Sequence, residues 1–449
     1  MAKRDGFTSS FGVLAATLGS AVGLGNIWKF PYMIGANGGA GFLLIYLLAT
    51  LLVGLPVMIA EITIGRQAKT NPITALQQMA PRGLPWWLIG VMGVISAFLI
   101  MAFYSEVVAW VFAYVPKAIS GDILSSDPKV TGAAFSALIS DPVPSLVWQW
   151  GVLLFIGSIL LMGVSKGIEA VTKRLMPLLF ILLIVLCAFS LSLEKSGEAL
   201  RFLFEPDFNK INGAVLLAAM GLAFFKLSVG MGTMMTYGSY FRDDQNIPVT
   251  AFRVMCADLF VSILAGIAIF PAVFTFGFQP EAGPPLVFIT IPTVFSQMPL
   301  GHTLMVIFFL LTSVAAIGAM LSLLEVPVVV IHERFAISRK KATLITLLLV
   351  ALLGSTCALT NSVMADFKLL GMNMFDLFDY LSSNILLPVG GILIALFVGW
   401  RWGYPALAQA LSNQQQLQNQ PLSKMLFLVL KFITPLLILI VMLHALHLM

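Results

Sequence analysis

The chain has 449 residues, of which 59% are hydrophobic and only 10% are charged. Soluble domains carry roughly 25% charged residues, so this composition excludes a soluble globular protein and indicates one that crosses the membrane many times. The net charge of +5 is small and gives no reason to expect a nucleic-acid partner. The 3 cysteines have no motif spacing, which argues against a disulfide scaffold or a metal site.

Apolar runs of roughly 17 to 25 residues predict transmembrane helices. The sequence contains eleven such runs, and no cleavage site follows the first, so we expect it to remain as a span. The run at 281–298 is too broken to cross the membrane and is interpreted as a re-entrant or external cap. The predicted spans lie near 11–36, 40–66, 87–116, 146–164, 167–192, 212–240, 247–278, 299–334, 341–359, 375–400 and 424–447.

Basic residues are distributed unevenly between the two sides of this topology. The loops on the side of the N-terminus carry most of the Lys and Arg, including Arg66, Arg242 and Arg339, whereas the opposite loops carry few. Cytoplasmic loops of membrane proteins are enriched in such residues. We therefore expect a protein of the inner cell membrane with its N-terminus in the cytoplasm and, after eleven spans, its C-terminus outside.

A polar, glycine-rich stretch interrupts the first span near its middle, Ser20-Ala-Val-Gly-Leu-Gly-Asn-Ile-Trp-Lys-Phe-Pro-Tyr32. Within a helix, glycine costs about 1 kcal/mol and proline about 3 kcal/mol. Opened backbone is tolerated at membrane depth only where it is buried in protein or lines a cavity. The break is therefore expected to serve a function.

A second interruption, Gly221-Leu-Ala-Phe-Phe-Lys-Leu-Ser-Val-Gly-Met-Gly232, echoes the first in the other half of the chain. Two broken segments at corresponding positions are typical of the substrate site of a transporter. The alternative is two helices that use glycine only for close packing, which small residues in membranes do allow. The matching positions of the two breaks favour the transporter interpretation.

Further motifs continue from these breaks along most of the chain. They are Ala21-Val-Gly-Leu-Gly-Asn-Ile-Trp-Lys-Phe-Pro-Tyr32, Asn37-Gly-Gly-Ala-Gly-Phe-Leu-Leu-Ile-Tyr46, Gly54-Leu-Pro56, Glu61, Gly65-Arg66, Phe224-Phe225, Thr236-Tyr-Gly-Ser-Tyr240, Ser322-Leu-Leu-Glu-Val326 and Phe378-Asp-Tyr-Leu-Ser-Ser-Asn384. Together they resemble the neurotransmitter:sodium symporters, in a prokaryotic eleven-span form. The resemblance implies carriage of an amino acid or related amine by alternating access.

The resemblance also implies a fold. It is an all-α polytopic membrane protein with the LeuT-type inverted repeat, five spans plus five, an additional eleventh helix, and broken first and sixth helices. On this basis residues 1–193 form the first repeat, residues 194–400 the second, and residues 401–449 a cytoplasmic connection with the eleventh span. Neither the resemblance nor the residues predict an oligomeric state.

A substrate site follows from the resemblance residue by residue. Tyr104 matches the tyrosine whose hydroxyl holds the substrate carboxylate, and the amides around Leu24 and Gly25 would receive its other oxygen. Helix N-termini favour anions, and the remaining lining is mostly apolar. The expected guest is an apolar amino acid, and the predicted substrate-binding residues are Ser20, Ala21, Leu24, Gly25, Ile100, Tyr104, Phe225, Lys226, Ser228, Met231, Ala319 and Leu323.

Gating residues are implied in the same way. Lys29 and Asp379 match an outer charged pair, and Arg4 with Glu333 an inner pair. Charged groups at membrane depth are costly and commonly mark transport pathways. The full set of implied gating residues is Lys29, Asp379, Arg4, Glu333 and Tyr240, together with Gly167 and Pro177, whose spacing matches a pattern that lets the fifth span unwind.

The sequence departs from the family at the sodium site beside the substrate. There the family uses a threonine that is replaced here by Lys226, the asparagine found here as Asn26, and a seventh-span asparagine that aligns without gaps with Ala257. Hard cations need several oxygen ligands, so the loss of two side-chain ligands weakens the site. An ammonium group in that place would itself supply the positive charge. The remnants of the cation site are Ala21, Asn26 and Lys226.

The family's second sodium site and its chloride site are depleted as well. Two eighth-span hydroxyls of the second site align with Gly318-Ala319, and Thr312-Ser313 lies six residues earlier, about 240° around the helix. At the chloride positions Tyr46 is present, but Leu222 and Val261 replace polar groups. No cofactor is certain, since the family's sodium ligands are largely missing, and chloride dependence is not expected.

Two charged residues leave alternatives open. Lys226 either binds a proton together with the substrate carboxylate or stays charged as a fixed substitute cation, and pairing with an unidentified acidic group is the third option. Glu106 lies two residues from Tyr104, so the two side chains point roughly 160° apart around the helix and are not neighbours. It either pairs elsewhere in the bundle or takes part in proton movement.

We therefore predict a secondary active transporter for an apolar amino acid in which Lys226 replaces one sodium ion. Sodium coupling would be weak or absent, with a proton as a further coupling ion. The alternatives are an ordinary sodium:amino-acid symporter, or a sensor or channel on the same fold. An enzyme is not expected, because the chain lacks zinc-protease, serine-elbow and phosphate-loop motifs.

Overall fold

The computed structural model describes residues 5–80, 83–277 and 286–445. Within this part, 9 helices are long and apolar enough to cross a membrane. Of the predicted cap at 281–298, the residues up to 285 lie outside the described part, and the rest contains the short helices Leu286–Thr290 and Ile291–Ser296. The spanning helices are Ala40–Ala68, Trp87–Ser120, Pro142–Leu161, Val164–Leu191, Ile247–Thr275, Gly301–Arg334, Arg339–Ala358, Met374–Trp402 and Gln420–Leu443.

The first and sixth spans are broken, as the sequence predicts. The first consists of the helices Ser10–Ala21 and Gly25–Ala36, which meet at an angle of 52°. The sixth consists of Gly213–Lys226 and Thr233–Gly238, with non-helical backbone between them. When the bent pair Ser10–Ala21 and Gly25–Ala36 is counted as one span, the described part of the chain contains 10 spans by length and composition, and the broken sixth helix, whose apolar half Gly213–Lys226 is shorter, takes the place of the eleventh.

Polar side chains start many of these helices at the predicted boundaries. Ser9 accepts a hydrogen bond from the amide of Gly12, and Asn212 accepts one from Val215. Such N-caps satisfy amides that have no partner within the helix. The N-terminal segment then contacts the sixth span, since the Phe7 amide donates to the carbonyl of Tyr240 at 3.2 Å.

The eighth span, Gly301–Arg334, is the centre of the bundle. The most apolar stretch of this 34-residue helix is 83% buried inside the protein. It packs against the third span, Trp87–Ser120, which is equally long, and against the first half of the broken first span. We call the side that carries Phe7 and Glu333 the N-side, and the side that carries Lys117 the far side.

The break in the sixth span depends on glycine and on a buried carboxylate. Gly230 has φ of +81°, and a Cβ atom there would lie 2.6 Å from the carbonyl oxygen of Leu387. Only glycine meets both requirements without strain. The Gly230 amide donates at 2.6 Å to Oε1 of Glu61, whose side chain is fully buried. Glu61 therefore caps backbone that the break leaves without a helical partner.

Replacement of Gly65 by alanine is predicted to destabilise the protein. A Cβ atom at Gly65 would lie 1.9 Å from the carbonyl oxygen of Met235, where the second span meets the second half of the sixth. Overpacking of this kind costs about 1–3 kcal/mol. Gly65→Ala should therefore lower, by several degrees, the temperature at which half of the detergent-purified protein is lost from its gel-filtration peak.

Gly221→Ala is the matched control for this measurement. Gly221 also lies in a helix of the core, but nothing lies within 4 Å of its potential Cβ position. Alanine is the better helix former, so this variant should keep or slightly raise the parental stability. Equal stability of the two variants would contradict the close contact at Gly65.

Candidate functional site

A small cavity lies where the two helix breaks face each other. Its volume is about 30 Å³, so the surrounding side chains are nearly in contact. Eleven of the twelve predicted substrate-binding residues line it, and the exception is Leu24, whose place is taken by Gly23. The lining residues are Ser20, Ala21, Gly23, Gly25, Ile100, Tyr104, Phe225, Lys226, Ser228, Met231, Ala319 and Leu323.

The polar part of this cavity is suited to a carboxylate. The Leu24 amide, at the first break, donates to the hydroxyl of Tyr104 at 3.2 Å. Ser228 donates to the carbonyl of Ser20 at 2.9 Å and so joins the two breaks. The Ser20 hydroxyl is buried and has no hydrogen-bond partner among the described residues. A free hydroxyl, a tyrosine and opened backbone amides are donors that a carboxylate can engage.

Lys226 forms a buried ion pair that the sequence analysis left without a partner. Its Nζ atom lies 3.0 Å from Oδ2 of Asp258, and neither side chain is more than 1% exposed. The ammonium also donates to the hydroxyls of Tyr46, at 3.1 Å, and Ser262. It lies 4.5 Å above the centroid of the Phe30 ring. The positive charge is therefore compensated by a carboxylate, two hydroxyls and an aromatic face.

Asn26 links this ion pair to the first helix break. Its side-chain amide donates to Oδ1 of Asp258 at 2.6 Å and to the hydroxyl of Ser262 at 3.0 Å. Its side-chain oxygen accepts from the amide of Gly23 at 3.2 Å. Because Gly23 lines the cavity, a continuous chain of hydrogen bonds runs from the ion pair to the candidate carboxylate site.

On the seventh span the residues that contact Lys226 are Asp258 and Ser262, each one residue after the aligned positions Ala257 and Val261. Residues four apart share a helix face, and a shift of one residue turns that face by about 100°. The pair of polar residues at a spacing of four in an otherwise apolar helix was the signal that could have identified this face.

The eighth span approaches the first closely at Gly318, one of the positions aligned with the family's second sodium site. A Cβ atom at Gly318 would lie 2.4 Å from the carbonyl oxygen of Gly19, so the eighth span packs directly on the first. The hydroxyls of Thr312 and Ser313 donate to carbonyls of their own helix, at 2.7 and 2.8 Å. The aligned positions Gly318 and Ala319 carry no hydroxyl, whereas Thr312 and Ser313 donate within their own helix and keep the lone pairs of their oxygens.

On the far side, the predicted outer pair is not joined. No ion pair within 4.0 Å links Lys29 to Asp379 in the described part of the chain. The Lys29 ammonium lies 4.4 Å above the ring of Phe225, and Asp379 accepts a hydrogen bond from Ser383 at 2.7 Å. Lys29 therefore packs on Phe225, and Phe225 lines the cavity.

The N-side is closed by several carboxylates. Tyr240 donates to Glu325 at 2.5 Å, and Arg339 binds both oxygens of Glu325 at 2.7 and 2.6 Å. Glu333 accepts hydrogen bonds from Thr70 and from the backbone and side chain of Asn71. Arg4, its predicted partner, lies outside the described residues. Sequence reasoning did not assign Arg339 to this network.

The fifth span is helical from Val164, and the carboxylate of Glu169, near the start of this span, contacts the N-terminal segment. Gly167 packs against the preceding span, since a Cβ atom there would lie 2.2 Å from the carbonyl oxygen of Ile159, and Pro177 lies within the helix. Glu169 accepts hydrogen bonds from the amide and hydroxyl of Thr8, at 2.7 and 2.8 Å. This residue was not predicted, and it ties the N-terminal segment to the fifth span.

Comparison with known proteins places this geometry in a family. The profile of the Sodium:neurotransmitter symporter family matches residues 4–126 and 140–449. An uncharacterised sodium-dependent transporter of Bacillus subtilis is 39% identical, over 98% of this chain and 97% of the relative. A second one, from Haemophilus influenzae, is 32% identical over 98% of this chain and 97% of its own length.

The structural comparison agrees. The crystal structure of MhsT in complex with L-phenylalanine superimposes with a TM-score of 0.91 and 42% identity, and covers 99% of this chain and 100% of that one. The fold is that of the LeuT-type transporters, and the protein is a multi-pass membrane transporter rather than an enzyme. The predicted resemblance is confirmed: the chain belongs to the sodium:neurotransmitter symporter family.

Proposed function

We propose that this protein is a secondary active transporter that carries an apolar amino acid by alternating access. The observation that carries the proposal is the cavity at the two breaks, where Tyr104, the Leu24 amide and the free Ser20 hydroxyl suit a carboxylate. Ile100, Met231 and similar side chains make the rest of its lining apolar. The complex of MhsT with L-phenylalanine supports this choice of substrate.

The buried pair of Lys226 and Asp258 takes the place of a bound sodium ion. An ammonium with a carboxylate 3.0 Å away and two hydroxyl acceptors needs no further counter-ion. This environment favours Lys226 as a fixed substitute cation rather than as a proton carrier. Because the aligned positions of the second site, Gly318 and Ala319, carry no hydroxyl, the proposal includes weak or absent sodium coupling and a proton as the coupling ion.

An ordinary sodium symporter is the second candidate, because the bacterial relatives are named sodium-dependent transporters. The two candidates make opposite predictions about ion requirement.

The membrane placement belongs to the same proposal. The protein lies in the inner cell membrane with the N-side in the cytoplasm and the C-terminus outside, in keeping with the distribution of Lys and Arg. Residues 1–193 and 194–400 are the two repeats, and residues 401–449 lie outside them.

Removal of sodium should change substrate affinity little. Binding of L-phenylalanine to the purified protein is measured in sodium chloride and in choline chloride at equal ionic strength. We expect dissociation constants within threefold of each other, because the positive charge beside the cavity is built into the chain. A steep and saturable sodium requirement would establish the ordinary symporter instead.

Tyr104→Phe should weaken binding of L-phenylalanine by roughly ten- to hundredfold, because a hydrogen bond to a charged group contributes about 1.5–3 kcal/mol. The control is Tyr114→Phe on the same helix, since the Tyr114 hydroxyl is buried and has no hydrogen-bond partner in the described part. The control should bind normally. The carboxylate site would be wrong if phenethylamine, which lacks the carboxylate, bound the parent as tightly as phenylalanine.

Lys226→Thr should convert the protein to sodium-dependent binding. The substitution removes the ammonium and leaves the introduced hydroxyl, together with the oxygens of Asp258 and Asn26, around a space suited to a hard cation. Without sodium, the unpaired Asp258 should abolish binding. The double variant Lys226→Thr, Asp258→Ala lacks the carboxylate and should not be rescued by sodium. Sodium-independent binding by the single variant would show that the ion pair is dispensable.

A further inference from the structure

Another buried carboxyl group, that of Glu106, lies near the middle of the third span and has no role in the site described above. Its side chain is 1% exposed. Oε1 accepts a hydrogen bond from the indole nitrogen of Trp110 at 2.6 Å. Oε2 is buried and has no hydrogen-bond partner among the described residues. In this 34-residue helix Lys117, near the C-terminal end, is the only other charged side chain.

No positive charge compensates Glu106 in the described part of the chain. The fourth span, which packs against this helix, carries no ionisable side chain, and the ninth span brings Cys357 near the carboxyl. The other ionisable residues of the helices packed on the third span are His302, Glu325, His332, Glu333 and Arg334 of the eighth, Arg339, Lys340 and Lys341 of the ninth, and Asp376, Asp379, Tyr380 and Arg401 of the tenth, and the third span itself carries Tyr104, Tyr114 and Lys117. None of them forms an ion pair with Glu106 within 4.0 Å.

The contrast with Asp258 gives the two carboxyls different chemistry. Asp258 faces an ammonium and the side-chain amide of Asn26, both of which favour its charged form. Glu106 has a single neutral donor and no cation. In surroundings of low dielectric constant, an uncompensated carboxylate is costly and the neutral acid is favoured. Contact with water reverses that preference.

Aromatic rings from separate elements cover the carboxyl from the far side. The ring of Trp110 stacks on Phe375 of the tenth span, with centroids 6.0 Å apart, and contacts Phe135 at 5.3 Å and Phe288 at 5.8 Å. Phe375 also packs on Phe103, at 5.6 Å. Separation of the tenth span from the third would break this stacking and release the residue that holds Glu106. Exposure of Glu106 is therefore tied to the far-side packing.

We propose that Glu106 is a proton-binding site that is filled when the far side closes over the substrate. The inference rests on the proposed transport cycle, in which the far side opens to admit the amino acid. In the open form the carboxylate is in contact with water, and on closure it takes one proton from the solvent onto Oε2. The reverse step returns the proton, so no other bond forms or breaks.

The test measures protons taken up when substrate binds. L-Phenylalanine is added to the full-length protein in a weakly buffered detergent solution containing the pH indicator pyranine, once in choline chloride and once in sodium chloride. The parent should take up about one proton per bound phenylalanine at neutral pH, and uptake should disappear as the pH rises and the closed form no longer retains the proton. Glu106→Gln should bind phenylalanine within threefold of the parent and take up fewer than a tenth as many protons.

A second variant keeps the test decisive if Glu106→Gln does not fold. Trp110→Phe removes the single donor that favours the charged carboxylate and should move the pH at which uptake is half-lost upward by about one unit. The control is Trp150→Phe, which loses a hydrogen bond to Ser355 from a ring that is half exposed, whereas Glu106 is buried. That control should leave the pH profile unchanged.

The outcomes separate the two proposals. Undiminished proton uptake by Glu106→Gln, or an unchanged profile in Trp110→Phe, would overturn the site at Glu106 and leave the transporter proposal standing. A parent that binds phenylalanine only in sodium would overturn the sodium-independent cycle. Loss of uptake in Glu106→Gln, measured then in sodium, would still support the proton site.

Discussion

The architecture depends on one constraint, which is that backbone opened inside a membrane must find partners within the protein. Two helices are broken at the centre of this bundle, and each break is satisfied by a buried side chain from another span. Glu61 accepts from the Gly230 amide, and Tyr104 accepts from the Leu24 amide. These partners hold the broken ends in place, while the buried Ser20 hydroxyl has no partner among the described residues and remains available to a ligand. The candidate substrate site is thus a consequence of how the breaks are stabilised.

Charge balance is the second consequence. A buried cation is tolerated only with a counter-charge and hydrogen bonds, and Lys226 obtains both from Asp258, Tyr46 and Ser262. Asn26 extends this hydrogen-bond network to the first break, where its side-chain oxygen accepts from the Gly23 amide. The positive charge beside the cavity is therefore covalently fixed, and it cannot enter or leave with the substrate. In the proposed cycle the driving force therefore comes from another ion.

Much of the fold could be predicted because it follows from local patterns in the sequence. The long apolar runs, the glycine-rich breaks and the family motifs predicted the positions of 9 to 10 spans and nearly the whole cavity lining. The partner of Lys226 stayed unidentified, because it depends on which face of the seventh span turns inward, and Asp258 lies one residue from the aligned Ala257. The ties made by Glu169 and Arg339 were missed because they join residues far apart in sequence. The hydrophobic periodicity of the sequence does not indicate contacts between such distant residues.

Three of the buried carboxyl groups have different roles because their neighbours differ. Glu61 faces backbone amides and maintains the shape of the sixth helix. Asp258 faces an ammonium and maintains the charge balance. Glu106 faces one indole under a cover of aromatic rings, with nothing among the described residues to hold its charge when enclosed. Since the residue type is nearly the same in all three places, the surroundings assign the roles, and in the proposed cycle the third is the carboxyl whose protonation changes with access to water.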